Sequence, residues 1–133
     1  MSDTAKFDTS GLADLAEDLR NVGARVARAS VGIVKRGAQN VKTDAQQRIR
    51  SQLRYGHARR YPSAITYDVT TSGSRVVAEI GPDKDRPQGA LGNLLEFGSA
   101  NNAPLPHVMP AGEAEAPKTE QQLLLAAVKT VIR

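Results

Sequence analysis

The sequence predicts an α+β fold in which a long N-terminal helix, a small antiparallel sheet, a short helix and a C-terminal helix follow one another. Two observations support this prediction. Apolar residues recur every three or four positions from Leu12 to Leu53, which is the spacing of one helix face. From Ile65 the period changes to two, which is typical of half-buried strands. A chain of 133 residues with a mostly aliphatic apolar content fits a single domain with a modest core.

The first predicted helix covers residues 11–55 and follows a flexible N-terminus of residues 1–10. Gly56 and Pro62 end it, because glycine favours helix termination and proline cannot continue a helix. Each glycine inside it weakens the helix by ~1 kcal/mol relative to alanine, so we expect either a kink or the close approach of another backbone near Gly32–Gly37. A continuous helix would be roughly 65 Å long, so part of it must project or lie on a neighbour.

A β-hairpin is predicted over residues 63–80. Alternation of apolar and polar residues starts at Ile65, and Ser72-Gly73-Ser74 supplies the turn before a second alternating run. A hairpin of this size is marginal alone and needs a helix to cover it. The stretch Gly81–Gly89, with two prolines and four charged residues, is typical of an exposed, mobile loop.

The segment of residues 91–111 is predicted to contain a short helix that ends at Gly98 and an extended, proline-rich stretch up to Pro110. The last helix is predicted within residues 112–132, starting at about Gly112 or Ala116. Pro117 is then expected in its first turn, where a missing backbone N–H is tolerated.

Side chains that could carry chemistry are few. The chain has no cysteine, which excludes disulfides and thiolate sites, and its two histidines, His57 and His107, are far apart in sequence. The acidic pairs beginning at Asp83 and Glu113 are explained by solubility and by the preference for acids near a helix start. We therefore predict that the protein is not an enzyme and binds no cofactor or metal. The sequence also shows no signal peptide and no membrane span, which predicts no membrane partner.

Positive charge is concentrated in one stretch. Between Arg20 and Arg60 there are eleven Lys or Arg residues and a single acid, Asp44, so this stretch carries +10 whereas the whole chain carries +4. It could be a solvated helix face, a docking surface for an acidic patch on a partner protein, or a surface for nonspecific contact with nucleic-acid phosphates. The predicted docking face consists of Arg25, Arg28, Lys35, Arg36, Lys42, Arg48, Arg54, Arg59 and Arg60.

Two short runs near the C-terminal end resemble a known pattern. Residues 94–99 read Leu-Leu-Glu-Phe-Gly-Ser, and residues 104–111 read Pro-Leu-Pro-His-Val-Met-Pro-Ala. They resemble the gene-product-ten family of HK-type siphophages, small neck and tail-component proteins of long-tailed phages. In that family a short helix ending in Leu-Glu-Phe-Gly precedes a proline-rich stretch that closes with Pro-Ala at the last helix. The chain departs from the pattern at His107, where members usually carry an aromatic residue, at Met109, where a basic or polar residue is common, and at Gly112.

The resemblance implies a structural virion protein that assembles in the host cytoplasm and then lies at the head–tail neck. Copies would form a ring, expected to be a hexamer, that completes or terminates the tail. The implied partners are other copies of the chain, the neighbouring connector and tail-tube proteins, and DNA passing close by. The alternative, from another class, is a small basic nucleic-acid-binding protein that contacts phosphates through the helix between Arg20 and Arg60.

Physical roles can be suggested for the residues of the pattern. Leu95 and Phe97 can anchor the short helix to the sheet, and Glu96 can cap the following loop or pair with a basic residue. Gly98 permits a left-handed exit from the short helix. The prolines keep the segment extended and ready to lie across a subunit boundary. The predicted interface residues are Leu95, Glu96, Phe97, Gly98, Pro106, His107 and Pro110.

Overall fold

A computed structural model describes residues 10–53, 58–73 and 75–132, and the predicted flexible N-terminus lies almost entirely outside this range. The order of elements confirms the predicted α+β class: a long helix, a hairpin, a short helix and a C-terminal helix. The elements are α1 (Ser10–Gln52), α2 (Tyr61–Ala64), β1 (Ile65–Ser72), β2 (Arg75–Pro82), a 3-10 helix (Gly89–Leu91), α3 (Gly92–Phe97) and α4 (Val108–Ile132).

Helix α1 is unbroken over its 43 residues and passes through Gly32 and Gly37 without interruption. Of the two expectations for these glycines, close approach is the correct one at Gly37. A Cβ atom placed there would lie 2.5 Å from Oγ1 of Thr119 on α4. A Cβ atom at Gly32 would meet nothing within 4 Å. Gly37 therefore lets α4 pack closely, whereas the chain's own packing does not require a glycine at position 32.

Strands β1 and β2 form a two-stranded antiparallel sheet in which Ile65 pairs with Pro82 and Ser72 with Arg75. The hairpin begins and ends two residues later than the predicted residues 63–80. Ser63 lies in α2, whose first turn accepts Pro62 because the first helical positions need no N–H partner. At the other end the pairing continues through Gly81 and Pro82, which were expected in a mobile loop, because Ala64 accepts a hydrogen bond from the Asp83 N–H.

The core lies on the C-terminal half of α1. Val41, Ala45 and Ile49 of this helix pack with three buried residues from elsewhere in the chain, Tyr61, Ile65 and Ala111. The first turns of α1 do not contribute to this core, because Leu12, Leu15 and Leu19 are 65%, 53% and 61% exposed. The long apolar stripe is thus used by the chain's own core along only part of its length.

Helix α4 runs antiparallel to α1. Just before its start the Pro106 carbonyl accepts a hydrogen bond from Gln52, and about two turns into α4 Glu115 accepts one from Asn40. It begins at Val108, earlier than the predicted residue 112, and Pro117 lies well inside it. The prediction that Pro117 must be in the first turn was wrong. Pro117 lies on an exposed side of the helix, where water can reach the Glu113 carbonyl that the missing N–H leaves unpaired.

Among the described residues, no helix combines the length and the apolar character needed to cross a membrane.

Candidate assembly surfaces

Glu96 joins α3 to the start of α4. Its carboxylate is 92% buried and accepts hydrogen bonds from the backbone N–H groups of His107 at 3.1 Å, Val108 at 2.9 Å and Met109 at 3.4 Å. The first N–H groups of a helix have no partner within the helix, and the helix dipole favours a negative charge at that end. Capping, one of the two suggestions for Glu96, is therefore observed, and it explains why α4 starts before Pro110. Oε1 of Glu96 also lies 3.4 Å from Nδ1 of His107.

His107 is completely buried beside Glu96. Its Nδ1 lies 2.7 Å from the Leu105 carbonyl oxygen, and its Nε2 lies 2.7 Å from the hydroxyl of Tyr61. Because a carbonyl only accepts, Nδ1 carries the proton in the neutral ring, and Nε2 accepts a hydrogen bond from the Tyr61 hydroxyl. The two rings are also arranged edge to face, with centroids 5.3 Å apart. His107 is thus a packing residue that ties the proline-rich segment to the core.

Tyr61 is held in its protonated form by its surroundings. Burial, together with the negative charge of Glu96, raises the pKa of Tyr61 from 10.0 to about 12. The hydroxyl therefore remains a hydrogen-bond donor to His107 over the whole neutral range. No local sequence pattern indicates this role, because Tyr61 and His107 are 46 positions apart.

Tyr61→Phe is expected to reduce the loss of stability at alkaline pH. With a pKa of 10.0 in the unfolded chain and about 12 in the folded one, the unfolded chain loses its proton first. The contribution of Tyr61 is therefore complete below pH 10 and declines by roughly 1–3 kcal/mol as the pH rises toward about 12. Urea denaturation at several pH values measures it. Tyr67→Phe leaves Tyr61 in place and is the matched control. An unchanged alkaline slope in Tyr61→Phe would contradict the assignment.

Of the roles suggested for the other residues of the pattern, the structure agrees with some and contradicts others. Gly98 leaves α3 with a φ of +75°, a value that favours glycine, and Leu95 packs against the core cluster. Phe97 does not anchor α3 to the sheet, because it is 68% exposed. Leu95 and Glu96 occupy the inner side of this short helix, and Phe97 lies a further ~100° around it. Pro106 is exposed, and Pro110 is half-buried in the first turn of α4.

Only some residues of the predicted docking face lie together on one exposed side of α1. At ~100° per residue, Arg25, Arg28, Lys35 and Arg36 share one side of α1, and all four are exposed. Lys42 also lies on this side of α1, but its Nζ atom is 5.9 Å from the centroid of the Tyr67 ring, where it can make a cation–π contact.

The remaining residues of the predicted docking face do not share this exposed side of α1. Arg48 lies on another side of α1 and forms an ion pair with Asp44 at 3.1 Å. Arg59 and Arg60 lie in the turn before α2, and Arg54 is outside the described residues.

A groove runs along the seam between α1 and α4, and sequence reasoning did not identify it. Two neighbouring cavities, of about 780 Å³ and 400 Å³, share Ala29 as a wall residue. We call their combined surface the seam groove. Its α1 wall consists of Arg25, Ala29, Gly32, Ile33, Arg36, Gly37 and Asn40, and its α4 wall of Glu115, Lys118, Thr119, Gln121, Gln122, Ala126, Lys129 and Thr130.

Several large apolar side chains of this chain are exposed, which is typical of proteins that bind other proteins. Residues 13–98 match the model of the HK97-gp10-like family, described as "Bacteriophage HK97-gp10, putative tail-component". The match covers well over half of the chain and extends from α1 through α3, so the chain belongs to this family. Comparisons with curated proteins and with solved structures found no match.

Proposed function

We propose that this chain is a non-enzymatic subunit of a ring at the head–tail neck of a long-tailed bacteriophage, where it completes the tail and joins it to the head connector. Membership of a family of phage tail components supports the general role. The observation that carries the proposal is the apolar surface left uncovered on the α1–α4 pair. It includes Leu12, Leu15 and Leu19 on α1, and Leu124, Leu125, Val128, Val131 and Ile132 on α4, each between 42% and 76% exposed.

A second exposed apolar surface lies around α3. It consists of Leu94, Phe97 and Met109, which are 40%, 68% and 56% exposed. Phe97 and Met109 border a small cavity next to Tyr61. A ring is closed by a heterologous interface, in which each subunit presents two different surfaces to its neighbours. Two separate apolar surfaces on one small chain suit this arrangement, and we propose six copies.

The exposed basic side of α1 supplies a docking surface for an acidic face of an adjoining ring. Arg25, Arg28, Lys35 and Arg36 are all exposed and carry four positive charges within about three helical turns. A protein partner suits a neck subunit better than DNA does, because tight phosphate binding in a conduit would slow the passage of the genome.

Labelling of virions tests the neck position. Antibody raised against this chain is expected to bind intact particles at the junction of head and tail in negative-stain images. Particles from a phage carrying a deletion of the gene are the control and should show no label, and heads and tails should accumulate unjoined. Label distributed along the tail, or an absence of the protein from purified particles, would contradict the proposal.

The exposed side chains of Arg25, Arg28, Lys35 and Arg36 also favour a second candidate function, which is nucleic-acid binding. Binding to duplex DNA would weaken steeply with salt, with a slope set by the number of phosphates contacted. We expect the purified protein to show little binding to duplex DNA even at low salt, measured by fluorescence anisotropy. Strong binding that is abolished in the variant Arg25→Gln/Arg28→Gln/Lys35→Gln/Arg36→Gln would favour the second candidate.

A further inference from the structure

The first turns of α1 extend beyond the end of α4. The cavity beside Arg25 is bordered by Lys129 and Thr130, so α4 ends close to this level of α1. Residues 10–22, which we call the arm, continue for a further ~20 Å. Nearly every arm residue is exposed, including Leu12, Leu15 and Leu19. These leucines recur at helical spacing and form a narrow apolar stripe that no other described residue covers.

The seam groove has the length of the arm. Its α1 wall extends from Arg25 to Asn40, which corresponds to roughly 22 Å of helix. Its α1 wall includes Ala29 and Gly32, where an approaching helix would meet little side-chain bulk. Gly37 is accounted for by the contact with α4, but within the described part of the chain no atom lies within 4 Å of a Cβ atom placed at position 32. A glycine that weakens a helix interior by ~1 kcal/mol is explained if another backbone approaches there.

The charges of the arm and the groove are opposite. The arm carries Asp14, Glu17 and Asp18 against a single Arg20. The groove is bordered by Arg25, Arg36, Lys118 and Lys129 against a single Glu115. Opposite potentials on the two surfaces guide association and fix the register of a partner. A second copy of this chain therefore presents a segment that matches the groove in length and is opposite to it in charge, and Ala29 and Ile33 offer apolar surface to the leucines of that segment.

We infer that the arm of each copy lies in the seam groove of the next copy around the ring. Leu15, in the middle of the arm, then lies near Ile33, in the middle of the groove. The acids of the arm face Arg36 and Lys118. This inference rests on the proposed ring, and it specifies the interface that closes it.

Disulfide trapping tests this interface, because the chain contains no cysteine of its own. The variant Leu15→Cys/Ile33→Cys carries two thiols that are ~27 Å apart on one continuous helix. A disulfide joins Cα atoms no more than ~7 Å apart, so any bond formed must link two chains. We expect oxidised particles to give a ladder of covalent oligomers on a non-reducing gel, ending at the number of copies in the ring.

The matched control is Leu15→Cys/Gln39→Cys, since Gln39 is exposed on α1 but does not line the groove. This control should give no ladder. Asp18→Lys and Arg36→Glu should each reduce the yield of Leu15–Ile33 cross-links several-fold, and their combination should restore it. Equal ladders from both pairs, or no cross-link from the groove pair, would overturn the inference. A product that stops at the dimer would also overturn it, since it indicates reciprocal arms.

This experiment separates the interface from the proposed function. If antibody labels the neck but the groove pair does not cross-link there, the arm docks elsewhere and the neck role is retained. If the protein is absent from particles, the neck role is wrong. The same cysteine pairs in the purified full-length protein then decide whether arms and grooves associate.

Discussion

Glu96→Ala is expected to lower the free energy of unfolding by about 3 kcal/mol, one of the largest effects of any polar substitution in this chain. The carboxylate accepts three backbone N–H groups at the start of α4. Hydrogen bonds to a charged group contribute about 1.5–3 kcal/mol, and removing one partner leaves the buried donors without an acceptor. Loss of the favourable charge at the helix start adds to the cost. Urea denaturation followed by circular dichroism measures the change.

Two further variants separate the role of Glu96 from a general effect of charge. Glu113→Ala removes an exposed acid from the same helix and should change stability by less than about 0.5 kcal/mol. Glu96→Gln keeps one acceptor oxygen but directs an NH₂ group at backbone donors. Its free energy of unfolding should therefore fall by a large fraction of the decrease expected for Glu96→Ala. A Glu96→Ala protein as stable as the wild type would show that α4 does not depend on this cap.

The elements with strong local patterns were predicted well. The three-and-four spacing of α1 and the alternation of the hairpin are set by which side chains face the interior, and this information is present in the order of residues. The boundaries were less accurate where a distant group decides them. Helix α4 starts at Val108 because the carboxylate of Glu96 satisfies its first N–H groups, and the prolines of that stretch indicated an extended backbone instead.

The candidate surfaces were predicted only in part. The capping role of Glu96 was among the expectations, but the hydrogen bond between Tyr61 and His107 beside it is a tertiary contact that no local pattern contains. Phe97 was expected to be an anchor because aromatic residues are usually buried, yet α3 is too short to bury every apolar side chain. The seam groove was missed because it is formed by two helices that are far apart in sequence.

The apolar stripe of α1 shows how one pattern can have two uses. From Val41 to Ile49 it forms the core, and from Leu12 to Leu19 it is exposed. Periodicity alone cannot distinguish the two, since it reports only that one face is apolar. The end of α4 near the level of Arg25 marks where the chain's own packing stops, and that limit appears only in the folded structure.

Ile49→Ala is expected to destabilise the chain by about 2–5 kcal/mol, through the lost burial and the cavity left behind. Ile49 is fully buried in the cluster where α1, β1 and α4 meet. Its neighbours include the side chains of Tyr61 and Ile65, and rigid ring and strand positions limit how far the site can collapse. The midpoint of urea denaturation should fall while the steepness of the transition stays similar.

Ile132→Ala is the control for burial, since Ile132 is 76% exposed, and its effect on stability should stay within about 0.5 kcal/mol. Ile33→Ala separates stability from assembly. Ile33 lines the seam groove and is only half-buried, so we expect a small loss of stability together with weaker association of copies. If Ile33→Ala destabilised the single chain as much as Ile49→Ala, the N-terminal half of the stripe would belong to the core, and no apolar surface would remain there for a neighbouring copy.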